Sequence, residues 1–177
     1  MKKLTTTIFT VLFAVIAFNS SQAQFVKAGA GLMYGSEIER IGIRVDGVYQ
    51  INEEFRAVVD LGIFIPETED LGGGNEVTFT WWELNANANY IFVADEEEGF
   101  TAYALGGLNF TSLKWSYSGD NEAMFNDDSE TEVGLNIGIG GEYDIDFADL
   151  FGELKFVLGD ADQLNIGIGL RIPIGGN

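Results

Sequence analysis

Residues 40–51 alternate apolar and polar side chains without a break. Ile41, Ile43, Val45, Gly47, Tyr49 and Ile51 share one face, and Arg40, Gly42, Arg44, Asp46, Val48 and Gln50 share the other. A period of two is the signature of a β-strand. The placing of the charge constrains more than the period does. Two arginines and an aspartate are concentrated opposite an almost wholly apolar face, so the strand belongs to a sheet that keeps its two faces in very different surroundings.

The same alternation recurs along the chain and predicts eight strands, near 25–35, 40–51, 54–65, 77–93, 100–117, 132–145, 150–158 and 164–174. Turn-like or acidic segments separate them at 36–37, 52–53, 67–76, 94–99, 119–130, 146–149 and 159–162. No helical pattern intervenes, so the strands should pair as antiparallel hairpins. The fifth strand is ambiguous. Tyr103, Leu105, Leu113, Trp115 and Tyr117 share a face while Leu108 and Phe110 sit on the other, and Gly106 and Gly107 suggest a bulge.

A targeting segment precedes the first strand. Lys2 and Lys3 form a basic start, and 15 apolar or small residues run from Leu4 to Phe18. That run is short of the roughly 20 residues of a membrane helix. Ser21 and Ala23 then fit a small-residue cleavage site, which predicts a signal peptide over 1–23 and a mature domain over 24–177. No later stretch is long and apolar enough for a membrane helix, so any membrane span must be a closed barrel.

Alternation alone does not say which face is inside, because soluble ligand-binding barrels alternate too. Three features favour an apolar exterior and a polar lumen. Mid-strand glycines (Gly29, Gly31, Gly42, Gly62, Gly134, Gly138, Gly140, Gly167 and Gly169) lie on the polar faces, where a narrow lumen needs small residues beside long ones. The basic residues Lys27, Arg40, Arg44, Arg56, Lys114, Lys155 and Arg171 lie within strands on the same faces as Asp46, Asp60, Glu83, Glu142, Asp144 and Glu153. Buried charges must be paired, and a closed lumen would bring these signs together. Aromatic residues gather at the strand ends: Tyr49, Phe55, Tyr90, Phe92, Tyr103 and Tyr143 toward one rim, and Tyr34, Trp82, Trp115 and Tyr117 toward the other.

This pattern resembles the small outer-membrane barrel family of OmpA- and OmpX-type eight-stranded proteins, over the whole mature chain. The resemblance implies an all-β, eight-stranded antiparallel transmembrane up-and-down barrel in the outer membrane of a Gram-negative bacterium. It implies outer-membrane lipid and the barrel-assembly machinery as partners. With both ends periplasmic, the segments around 36–39, 66–76, 119–130 and 159–163 would lie outside the cell. Many members end in an aromatic residue, whereas this chain ends Ile172, Pro173, Ile174, Gly175, Gly176, Asn177.

Composition narrows the chemistry. The chain has no histidine and no cysteine, which removes His-based triads, the usual zinc sites and disulfides. No G-x-S-x-G elbow is present, and the Gly-x-Gly runs open no helix, so neither a hydrolase elbow nor a phosphate loop is indicated. The reading is of a non-enzyme without cofactor or metal. Signal-peptide cleavage takes the net charge from −19 to −21, which disfavours nucleic acid. The acidic loop at 120–130 lacks EF-hand spacing. Within it, Met124 and Phe125 are the apolar candidates for contact with an extracellular ligand. Three functions compete: a packed barrel with a structural or surface-interaction role, a narrow channel for small solutes, and a soluble periplasmic barrel for an apolar ligand.

Overall fold

The computed structural model describes residues 26–119 and 128–175, and the segment predicted as a signal peptide, Met124 and Phe125 lie outside them. Among the described residues nine strands run β1 (Val26–Gly35), β2 (Arg40–Gln50), β3 (Phe55–Phe64), β4 (Glu67–Gly72), β5 (Asn75–Asp95), β6 (Phe100–Gly119), β7 (Asp128–Asp144), β8 (Asp149–Leu158) and β9 (Gln163–Gly175). All pairings are antiparallel, and consecutive strands are neighbours except β3 and β4. β1 pairs with β9, and β3 and β4 both pair with β5, so the sheet closes on itself. β3 and β4 are two halves of one stave, so the nine strands make an eight-stave up-and-down barrel. No helix among the described residues is long and apolar enough to cross a membrane.

The sense of the barrel is inverted, as the charge pattern predicts. Ile43, Val45, Val133, Leu135, Ile137, Ile139, Ile168 and Ile172 are exposed on the outer wall. Arg44, Arg56, Asp60, Glu83, Glu142, Glu153, Lys155 and Arg171 are buried within. An apolar band of this extent suits hydrocarbon, not water.

Four details of β5 and β6 depart from the sequence reading. β6 runs in unbroken register past Gly106 and Gly107, and the bulge lies in β5 between Ile91 and Val93. Odd positions of β6 therefore face inward throughout, with Leu108 and Phe110 on the outer face. Tyr103, expected at a rim, is fully buried in the lumen. Trp115 and Tyr117 pair in register with the inward-facing Phe79 and Val77, so they do not belong to an outer girdle. Lys114, expected on the polar face, is exposed on an even, outward position above the barrel. The outer aromatics are instead Phe55, Tyr90, Phe92, Phe100, Tyr143 and Phe147 at one end, with Tyr34 and Trp82 toward the other.

The two ends differ in height. At one, short turns join the strands, with Asn52 and Asp95 side chains accepting backbone N–H groups at 2.8–3.1 Å. At the other, β5 and β6 run to 21 and 20 residues, about twice the 9–11 of a membrane strand. Residues 67–76, expected as a loop, form part of this taller wall: β4 pairs with the start of β5 through a glycine turn. The acidic, Gly-rich composition disguised a strand with alternating Glu67, Thr68, Glu69. Thr68 and Thr78 pair side chain to side chain at 3.0 Å, and Gly72 to Gly74 have positive φ, which suits glycine.

Pro66 explains why the third stave is split. It lacks an N–H for the ladder. Ile63 pairs with Trp82 and Glu67 with Phe79, so Phe64, Ile65 and Pro66 oppose only Thr80 and Trp81. The extra residue reverses the inward parity. Even positions from Arg56 to Phe64 face the lumen, and odd positions Glu67 and Glu69 face the mouth above it.

The inward glycines make room for specific side chains. A Cβ on Gly140 would lie 2.4 Å from the Tyr103 ring and hydroxyl. One on Gly29 would strike Asp46 and Arg171, while one on the outward Gly152 meets nothing within 4 Å. Gly140→Val should therefore destabilise the barrel by about 1–3 kcal/mol, and Gly152→Val should leave it unchanged. Urea unfolding in lipid vesicles, read by gel mobility before boiling, checks both. Equal midpoints for the two variants would refute the packing argument.

Candidate functional site

The lumen holds two linked polar clusters. Toward the short-turn end, Arg171 is the hub. Its Nη2 and Nε donate to Asp46 Oδ2 at 2.7 and 3.1 Å, and its Nη1 donates to Glu142 Oε1 and to the Tyr103 hydroxyl. Arg56 Nη1 donates to Glu142 Oε2 at 2.8 Å. Lys27 spans Glu142 at 3.4 Å and Asp149 at 2.6 Å. Tyr103 donates its hydroxyl to Glu153 at 3.0 Å, and Arg44 Nη1 donates to the other oxygen of Glu153 at 2.5 Å. The guanidinium of Arg56 lies 4.3 Å from the Tyr103 ring centre, and that of Arg171 lies 4.2 Å from the Phe151 ring centre.

Above this cluster, amides replace cations as the main partners of the carboxylates. Glu83 is fully buried. It accepts from Gln163 at 2.6 Å, Asn165 at 2.8 Å and Asn85 at 3.2 Å, with Lys155 at 3.4 Å. Asp60 accepts from Asn85 at 2.8 Å and Asn87 at 3.3 Å, with Arg44 Nη2 at 3.4 Å. Asn136 donates to both Asn85 and Asn87, and Asn109 donates to Asn85, at 2.8–2.9 Å. The Asn85, Asn87, Asn89 series comes from one strand face of β5, where alternation places every second residue inward.

Nearly all the sequence-predicted charges meet here. Lys27, Arg44, Arg56, Lys155 and Arg171 face Asp46, Asp60, Glu83, Glu142 and Glu153, and each stave contributes at least one member of the network. Arg40 is set apart. It pairs with Glu67 at the tall end, where both side chains are partly exposed. Tyr103 and the asparagine ladder escaped the sequence search for charge. Their signal was parity: Tyr103 shares its odd register with the inward-facing Asn109 and Thr111.

The mouth above Glu83 is aromatic and acidic. Inward positions there carry Phe79, Trp81, Leu113 and Trp115 on adjacent strands. Two clefts open off the Trp81 and Leu113 pair. One, of about 230 Å³, is walled by Ile38, Arg40, Ile65, Glu67, Glu69 and Phe79. The other, of about 220 Å³, is walled by Thr111, Glu130, Glu132, Asp160 and Ala161. Partial desolvation and the like charges of Asp160 and Glu130 push the Glu132 carboxyl above its ordinary range. Among the described residues no carboxylate group is arranged to hold a metal ion.

The two classes of ion pair should respond differently to truncation. Arg171→Met leaves Asp46 and Glu142 buried without their hub and should cost about 3–5 kcal/mol. Arg40→Met removes an exposed pair and should cost no more than about 1 kcal/mol. Unfolding midpoints in vesicles measure both, and a loss under about 1 kcal/mol for Arg171→Met would mean that the lumenal network is not interlocked.

No protein-family model and no curated protein matches the chain. Solved structures do. The N-terminal β-barrel domain of Pseudomonas aeruginosa OprF aligns with a TM-score of 0.63 at 15% identity, covering 86% of this chain and 98% of that one. Neisserial surface protein A aligns with a TM-score of 0.59 at 18% identity, covering 85% and 97%. Ail, the attachment invasion locus protein of Yersinia pestis, solved in complex with the heparin analogue sucrose octasulfate, aligns with a TM-score of 0.56 at 13% identity, covering 84% and 97%. An apolar wall around a charge-filled lumen and this agreement over nearly the whole of each neighbour lead to one conclusion: the chain has the fold of the small eight-stranded outer-membrane β-barrels.

Proposed function

We propose that the mature chain, residues 24–177, is a non-enzymatic outer-membrane barrel with a packed lumen that meets its surroundings through the tall end. The observation that carries this reading is the lumenal network. It ties every stave to others through buried ion pairs and amide bonds, and it occupies the space a solute would need. Outer-membrane lipid then contacts the apolar wall, and the signal peptide and the assembly machinery deliver the chain to it. The tall wall of β4 to β7 rises on the extracellular side and supplies an envelope-structural or surface-interaction role.

The neighbour solved with a heparin analogue does not transfer its ligand. Glu67, Glu69, Asp70, Glu76, Asp128, Glu130, Glu132 and Asp160 crowd the tall end of this chain. Such a surface repels polyanions.

The folded barrel should fractionate with the outer membrane, migrate faster before boiling, and give no discrete conductance steps in a planar bilayer. Steps from folded protein would replace the plugged lumen with a narrow channel. Extraction without detergent would replace the membrane barrel with a soluble one.

A further inference from the structure

The tall wall has two faces, and strand parity sorts their chemistry. Its inward positions carry Glu67, Glu69, Glu130 and Glu132, in register with Phe79, Val77, Leu113 and Thr111. The outward positions at the same heights carry hydroxyls and one cation. One row runs Thr80, Lys114, Ser129, and the row above it runs Thr68, Thr78, Ser116. All six residues are at least partly exposed. Among the described residues no carboxylate pairs into either row, in a chain with 28 acidic and nine basic residues. The outward acids Asp70 and Glu76 pair one row higher. This face also continues the outer wall without a break. Trp82, Phe110 and Val133 are the last apolar residues on their strands, and Thr80, Ser112 and Thr131 take the next outward positions.

We propose that this outward face docks the phosphorylated saccharide headgroup of a glycolipid in the surrounding leaflet, with Lys114 on a phosphate and the flanking Ser and Thr hydroxyls on the sugar. The inference rests on the reading of the chain as an outer-membrane barrel. Continuity with the lipid-facing wall sets the occupant's place, because whatever stands beside Thr80 and Lys114 is attached to the lipid that covers Trp82. Height chooses a saccharide over a simple phospholipid headgroup. At a strand tilt of about 45°, each outward residue stands about 5 Å above the last. The Thr80 row is then about 5 Å above Trp82, the Thr78 row about 9 Å and Glu76 about 14 Å. A phospholipid headgroup layer is only about 5–8 Å deep, so it reaches the first row alone. Charge chooses the phosphate. Carboxylates in these rows would lie within a Debye length, about 8 Å, of lipid phosphates and repel them. They occupy the inward parity and the tip, and a lysine stands in the first row. Hydroxyls both donate and accept, as sugar hydroxyls do, and so suit a neutral polar surface. The acidic mouth that disfavours a soluble polyanion lies on the other side of the sheet.

The test uses the refolded full barrel, ¹⁵N-labelled, in phosphatidylcholine nanodiscs. These are doped with increasing amounts of rough lipopolysaccharide, or with phosphatidylglycerol as an anionic lipid of short headgroup. Amide resonances of Thr78, Thr80, Lys114, Ser116 and Ser129 should shift saturably with the glycolipid. Phosphatidylglycerol should move the Lys114 row alone. Lys114→Gln with Thr78→Val and Ser116→Ala should raise the half-saturating glycolipid fraction at least about fivefold, while keeping the fast gel mobility of the folded barrel. Lys114→Gln alone serves if the triple variant does not fold, with an expected rise of at least about twofold. Equal shifts of both rows with phosphatidylglycerol would overturn the proposal. So would shifts of the same size around the whole belt, at Tyr34 and Ile41 as much as at Lys114, because they report bulk lipid. Lack of saturation, or an unchanged half-saturating fraction in the variants, would overturn it too. A chain that extracts without detergent removes this inference together with the membrane reading. A barrel that folds in nanodiscs and ignores the glycolipid removes this inference alone.

Discussion

Compensation of buried charge in a narrow space is the constraint on which the barrel depends. An isolated buried ion costs several kcal/mol even after relaxation. Here Arg171, Arg56, Arg44 and Lys155 are almost fully enclosed, and each reaches a carboxylate on a different strand. Arg44–Glu153, Arg56–Glu142 and Lys155–Glu83 join staves that are three apart around the barrel, whereas Arg171 meets Asp46 over Gly29 of the intervening β1. Arg44 meets Glu153 across 109 residues, and Arg171 meets Asp46 across 125. Closure of the sheet and pairing of the charges are therefore one event, and the interior favours the registered barrel over slipped alternatives.

The two tiers of the interior solve the same problem in different ways. Near the short turns, guanidinium groups fork between carboxylates and stack on Tyr103 and Phe151. Higher up, Glu83 and Asp60 are held largely by amide N–H donors from Asn85, Asn109, Gln163 and Asn165. Amides supply hydrogen bonds without adding net charge, so the ten lumenal charges balance without further cations. Inward glycines such as Gly140 and Gly29 are the counterpart of this filling, because a long side chain across the lumen occupies the space their own would need.

Much of this was legible from period two. Alternation over residues 40–51 and its repeats located the staves, and the sign of the polar face identified the lumen and nearly all its charged members. The rest required pairing in three dimensions. Tyr103 looked like a girdle residue because a Tyr near a strand end usually is one, and only the odd register it shares with Asn109 argued otherwise. Lys114 looked lumenal because it lies opposite Leu113, Trp115 and Tyr117, whose apolar face reads as the outer one, when their register with Trp81, Phe79 and Val77 turns it inward. The 67–76 hairpin was hidden by acidic, Gly-rich composition, which reads as loop although its Glu-Thr-Glu alternation is that of a strand. Which carboxylate meets which cation could not be read at all, since it depends on how the sheet tilts as it closes.

The bulge at Pro66 gives the chain an unusual freedom. Below it, the inward set is fixed by the lumen, and a shift of one residue would bury the wrong face. Above it, parity is set afresh by a single extra residue. Deleting one residue there would turn Glu67 and Glu69 outward and bring Thr68 and Asp70 to the mouth, with the plug beneath undisturbed. A one-codon insertion or deletion at this point would rewrite the character of the mouth in one step, so the surface can diversify while the barrel beneath stays the same.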